Sequence, residues 1–200
     1  MRFSKIISTI LHPIFMPIMA LYLSLKLVPG IGFAITNYLN FIYLILLVST
    51  IILPLMSVLF LIKKKLVSSL EMDDYNERSL PLFIAAIWMI YGYYKLAGIL
   101  ALAPILSSEL LGAIIILFVA SAISKYWKIS LHMLAAGGVT GMLLGLNILF
   151  GNLEGFLILS FLLSGVLGFS RLNEKAHNHA QIYTGFLTGL LIESGSIFFF

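Results

Sequence analysis

The sequence predicts an all-α fold: a polytopic transmembrane helical bundle of six core spans, preceded by an apolar segment that prolines interrupt. Hydrophobic residues make up 61% of the chain and charged residues only 10%. The apolar residues fall in several runs of roughly 20, long enough to cross a hydrocarbon core of about 30 Å. Spans of that length leave little chain for loops, so 1–200 reads as a single membrane-integral domain. Residues 1–37 form an N-terminal extra segment and 38–200 the six-helix core.

The first segment, Ile6 to Val28, carries Pro13 and Pro17 and reads as a kinked span or a tilted, partly interfacial helix. Arg2 and Lys5 before an apolar run suggest a signal peptide. His12 and the two prolines break that run, however, and no small-residue cleavage site follows, so the segment is read as mature chain. Pro29-Gly30-Ile31-Gly32 is a turn, and Tyr38 to Ile62 a span that Lys63-Lys64-Lys65 closes and Pro54 kinks. The long polar connection Lys63 to Leu80 holds Glu71, Asp73, Asp74, Glu77 and Arg78, and Ser79 or its neighbour is placed to cap the helix that Pro81 opens. Spans then run from Pro81 to Leu102 and Glu109 to Ser124, broken at Pro104, and an aromatic interfacial link covers 125–132. The last three spans are His132 to Phe150, Glu154 to Phe169 and Gln181 to the C-terminus.

Gly137, Gly141 and Gly145 recur every four residues, as do Gly185 and Gly189. Close helix approach in lipid needs small residues at this spacing, so these glycines read as packing positions rather than ligand contacts. Lys95 and Glu193 fall inside apolar runs, where charge is costly and faces a cavity or a partner, although Glu193 also lies near enough to the end to be interfacial.

The chemistry concentrates in three polar stretches. Two spans separate Arg78 from His132 and two more separate His132 from Arg171, so all three stretches share one membrane face. The richest is Ser170 to Gln181, which sits between two apolar runs. The four-residue step from His177 to Gln181 places both on one face of a helix beginning near His177, whose N-terminus would favour an anion. Fixed cations and imidazoles converging at a water interface suit a phosphate: the cations hold its spread charge, and the imidazoles serve as nucleophile and proton donor. The formal net charge of +4 reports topology and headgroup contact, not nucleic acid. The chain has no cysteine, which excludes thiolate chemistry.

At these residues the chain resembles the type-2 phosphatidic acid phosphatases, whose fold is shared with the vanadium haloperoxidases. Ser170-Arg171, His177 and Gln181 follow the spacing of the family's third motif, with Gln where the family has Asp. Ile129-Ser130-Leu131-His132 keeps the Ser and His of its second motif and lacks the Pro and Gly. The first motif is reduced to Arg78, with Glu71 where its Lys would stand and Pro81 displaced by two residues. The resemblance spans about Tyr38 to Phe200. It implies that His177 is the nucleophile forming a phosphohistidine and that His132 protonates the leaving lipid oxygen. It also implies that Arg78, Arg171, Ser130 and Ser170 bind the phosphate, with Lys128 able to replace the missing Lys. No metal and no other cofactor is implied, and the partner is a membrane lipid with a phosphate headgroup.

Plainer readings stand beside this one. Arg171, Lys175, Lys125 and Lys128 suit headgroup anchors, and His12, His177 and His179 suit interfacial side chains. A metal site from His132, His177 and His179 is disfavoured, because residues two apart diverge on a helix. Two functions follow: a phosphatase for a lipid phosphate or isoprenoid diphosphate, or a non-catalytic protein of the same fold that binds or transports anionic lipid. Basic residues crowd the motif face, and the positive-inside rule turns that face to the cytoplasm of a bacterial inner membrane. Bacterial members of the family commonly work on the outer face.

Overall fold

The computed structural model describes residues 2–70, 72 and 74–199. Among them there are α-helices and no strand. The helices are α1 (Arg2–Ile10), α2 (Met16–Leu27), α3 (Pro29–Gly32), α4 (Leu39–Leu46), α5 (Leu53–Lys63), α6 (Ser79–Leu100), α7 (Pro104–Ser124), α8 (Leu131–Phe150), α9 (Glu154–Asn173) and α10 (His179–Phe198). Short 3₁₀ turns occupy Pro13–Phe15, Phe33–Tyr38 and Tyr75–Arg78, and a π-helical stretch, Leu47–Ile52, joins α4 to α5. The sequence expectations at Glu71 and Asp73 lie outside the described residues.

Among the described residues, six helical stretches are long and apolar enough to cross a membrane: Phe3–Leu27, Pro29–Lys63, Tyr75–Leu100, Pro104–Ser124, Leu131–Phe150 and Glu154–Asn173. The chain is an integral membrane protein, and its bundle is all-α as expected. The six are a different set from those read in the sequence. The N-terminal segment qualifies, whereas α10 is diluted by Ser, Thr and Gly residues and by Glu193. Large apolar side chains such as Phe60, Phe161, Leu162 and Leu191 are exposed on the outer surface, where lipid covers them.

Prolines set several boundaries. Pro54 has no N–H for the carbonyl of Thr50, and the helix widens into the π-helical stretch just before it. Pro104 opens α7 at its first position, so this helix begins five residues earlier than expected and carries Glu109 into the interior. Ser79 does not cap α6. It is already helical, and the Ser121 hydroxyl donates to its carbonyl at 2.8 Å, tying the start of α6 to the end of α7.

The glycines of α8 and α10, expected as packing positions, meet each other across one interface. A methyl group on Gly137 would strike the Phe186 carbonyl, one on Gly189 the Leu134 carbonyl, and one on Gly185 the Ser130 carbonyl. The numbers rise together along both helices, so α8 and α10 run parallel, and the intervening α9 carries the chain back from the end of one to the start of the other. Their N-termini therefore share one end of the bundle, together with the connections 64–78, 125–130 and 174–178. The main apolar core lies toward the other end, where Leu21, Ile35, Leu100, Leu106, Leu146 and Ile197 are buried. The first segment is no appendage, because α2 packs into that core and α1 lies along the end of α9.

Gly137→Ala should lower the thermal stability of the protein in detergent by the cost of overpacking, about 1–3 kcal/mol. Gly165→Ala, whose methyl would meet open space, should leave it unchanged.

Candidate functional site

A cavity of about 950 Å³ opens at the end of the bundle that carries the polar connections. Arg78, Lys128, His132, Arg171 and His177 all line it. The structure thus brings together five of the eight residues expected at the site, from three stretches far apart in the chain. Gln181 stands behind His177. Ser130 and Ser170 do not line the cavity: both are fully buried, and Ser170 donates back to the Val166 carbonyl of its own helix at 2.9 Å.

His177 lies two residues before the first residue of α10, not on that helix as the spacing suggested. Asn178 is the stronger cap. Its side chain accepts from the Gln181 N–H at 3.0 Å, while Gln181 Oε1 accepts from the Asn178 N–H at 3.1 Å, completing a capping box. The same Oε1 lies 3.1 Å from His177 Nδ1. The backbone N–H of Asn178 requires an acceptor there, which identifies the atom as oxygen, and an amide oxygen cannot donate. Nδ1 therefore carries the proton, and Nε2 keeps its lone pair.

Burial, followed by the charges of Arg171, Arg78 and Lys128, pushes the His177 pKa down to about 4, against the opposing hydrogen bond from Gln181. The ring stays neutral, with Nε2 free, at any pH above that value.

Residues that sequence patterning missed complete the site. Arg171 Nη1 lies 2.6 Å from Glu174 Oε2 and 3.2 Å from the Ser8 hydroxyl, which itself donates to Glu174 Oε1 at 3.1 Å. The carbonyl of Ser8 accepts from His132 Nε2 at 3.0 Å. His12 meets the His132 ring edge to face, with centroids 5.4 Å apart, and lines the cavity. The third imidazole of the site is thus His12. His179 is exposed and stacks on Tyr183. Among the described residues, no three His, Asp or Glu side chains converge at metal-ligand spacing.

Two buried polar atoms at this end, Ser130 Oγ and Arg171 Nε, have no hydrogen-bond partner. Arg78 Nε donates to the Met72 carbonyl at 2.8 Å, and both residues line the cavity. Deeper in, the lining turns apolar with Leu21, Met89, Leu110 and Val139, and ends near Glu109 and Glu193. Glu193 is only 4% exposed, so it belongs to the interior and not to the interface. Glu109 accepts from the Ser24 hydroxyl at 2.6 Å. Lys95, in contrast, is exposed, and its ammonium group sits 5.4 Å from the Tyr91 ring centre. Compared with protein-family models, curated proteins and solved structures, the chain gives no match.

Titration of the His177 ring by NMR in detergent micelles should give a midpoint near pH 4. Arg78→Gln removes one of the charges that lower it and should move the midpoint upward. A wild-type midpoint near 6.5 would contradict this electrostatic account.

Proposed function

We propose that this chain is a membrane phosphatase that hydrolyses a lipid phosphate or isoprenoid diphosphate through a phosphohistidine on His177, as the type-2 phosphatidic acid phosphatases it resembles would do. One observation carries the reading. The Gln181 hydrogen bond holds the proton on Nδ1 and leaves the Nε2 lone pair available in a cavity that Arg78, Lys128 and Arg171 also line.

A phosphoryl group in transfer spreads negative charge over its equatorial oxygens, and the three cations suit that charge. The orphaned Arg171 Nε supports the same reading, since Arg171 lines the cavity, a buried polar atom without a partner is costly, and a bound oxyanion would satisfy it. The apolar lining beyond the cations suits a lipid tail entering from the bilayer. The substrate oxygen leaves with a proton from a group that lines the same cavity. By the positive-inside rule, the site faces the cytoplasm.

Gln181 supplies orientation without charge. A carboxylate there would also stabilise the imidazolium character that develops as Nε2 attacks phosphorus. A second reading, binding or transport of anionic lipid without hydrolysis, is favoured by this neutral side chain in place of a carboxylate.

Phosphate release from a panel of lipid phosphates by the purified protein separates the two. Release by the wild type and none by His177→Ala is the expected result. Binding without release would establish the second reading. Gln181→Ala should slow release about tenfold, the rate equivalent of one neutral hydrogen bond, and Gln181→Glu should match or exceed the wild type.

A further inference from the structure

Protonation of the departing oxygen needs a cavity group that can lose a proton without becoming an anion stronger in base than the oxygen it serves. Neither imidazole beside His177 can do so. The carbonyl of Ser8 only accepts, so His132 Nε2, 3.0 Å away, carries the proton of that ring and commits it there. His12 Nδ1 accepts from the Ile14 N–H at 3.3 Å, which puts the proton of that ring on Nε2. Both rings hold a single proton, and giving it up would leave an imidazolate. His132 is therefore a positioning residue that holds Ser8, not the proton donor that the resemblance implies. Arg78 and Arg171 do not deprotonate in proteins, and Glu174 is paired with Arg171. Three lysines also line the cavity: Lys5, Lys128 and Lys175. Lys5 and Lys175 are exposed, whereas Lys128 is half-buried and its charge acts on the His177 ring. The backbone keeps it close. Two residues on, the Ser130 N–H points at the Gln181 carbonyl, 3.4 Å away, and ties the 125–130 connection to the first turn of α10.

We propose that Lys128, on the connection between α7 and α8, is the general acid of this site. The inference rests on the phosphatase reading and names the group that moves the proton. The lone pair of His177 Nε2 forms the N–P bond as the P–O bond to the lipid breaks. The electrons of the broken bond leave on the lipid oxygen, which takes a proton from the Lys128 ammonium group. An ammonium group is a stronger acid than an aliphatic alcohol, so this transfer runs downhill, and it leaves a neutral amine. Water then attacks phosphorus, the N–P electrons return to His177, and the Lys128 amine takes a proton from that water. The ammonium group and the imidazole are both restored, with the lipid alcohol and phosphate as products.

Leaving-group dependence tests this on the full-length protein in detergent, held in excess over dodecyl phosphate or p-nitrophenyl phosphate. Under single turnover, release of the alcohol or the phenol reads the first step alone. An alkoxide needs a proton to leave, and a nitrophenolate scarcely does. Lys128→Arg is the informative variant, because it keeps the charge that holds phosphate and removes the transferable proton. It should release dodecanol on the order of 10²-fold more slowly than the wild type. Its release of p-nitrophenol should stay close to the wild-type rate, which also shows that the variant is folded. Equal losses on both substrates would make Lys128 a phosphate-holding or structural residue, and no loss on either would leave it no part in proton transfer; each overturns the assignment while leaving the phosphatase reading intact. If the wild type releases neither dodecanol nor p-nitrophenol, the phosphatase reading itself falls, and this inference with it.

Discussion

The backbone contact between α8 and α10 is the constraint on which the rest of the structure depends. In lipid there is no hydrophobic drive to press helices together, so association relies on close packing and small residues. Gly137, Gly141, Gly185 and Gly189 remove the side chains that would keep these backbones apart. Because the two helices run parallel, the same contact aligns their N-termini and brings His132 beside the 174–178 connection. The Ser130 N–H, at the start of α8, points at the Gln181 carbonyl in the first turn of α10, 3.4 Å away. A spacing device within the membrane thereby positions the chemistry at its surface.

Around that pair the site is organised by tautomers as much as by charge. One glutamine oxygen serves both the helix cap and the His177 ring, so the fold of the connection and the state of the imidazole are a single arrangement. Ser8 does the equivalent for the other half of the site: its carbonyl engages His132, and its hydroxyl joins Arg171 to Glu174. Ion pairing of Arg171 with Glu174 leaves its Nε without a partner, directed by a carboxylate and still able to accept a further anion.

What could be read from the sequence was whatever periodicity and spacing carry. The apolar runs gave most of the spans, the four-residue glycine steps marked packing positions, and an even number of crossings brought Arg78, His132 and Arg171 to one end. The step from His177 to Gln181 pointed to a real contact for the wrong local reason, since a capping box and not a helical face creates it. Ser8, His12 and Glu174 could not be read as a group, because contacts across more than 160 residues leave no periodic trace. Proline 104 concealed Glu109: opening α7 early moved that carboxylate from an expected helix end into the bundle. A capping rule applied at Pro104 would have found it.

The central claim is that Nε2 of His177 is the atom that takes the phosphoryl group. Rapid quenching of the protein with a lipid phosphate labelled on phosphorus, followed by peptide mapping under alkaline conditions that preserve phosphohistidine, tests it most directly. The account requires label on the peptide containing His177, formed and lost within turnover and absent in His177→Ala. Label on another residue, or phosphate release with no labelled protein at any time, would contradict it.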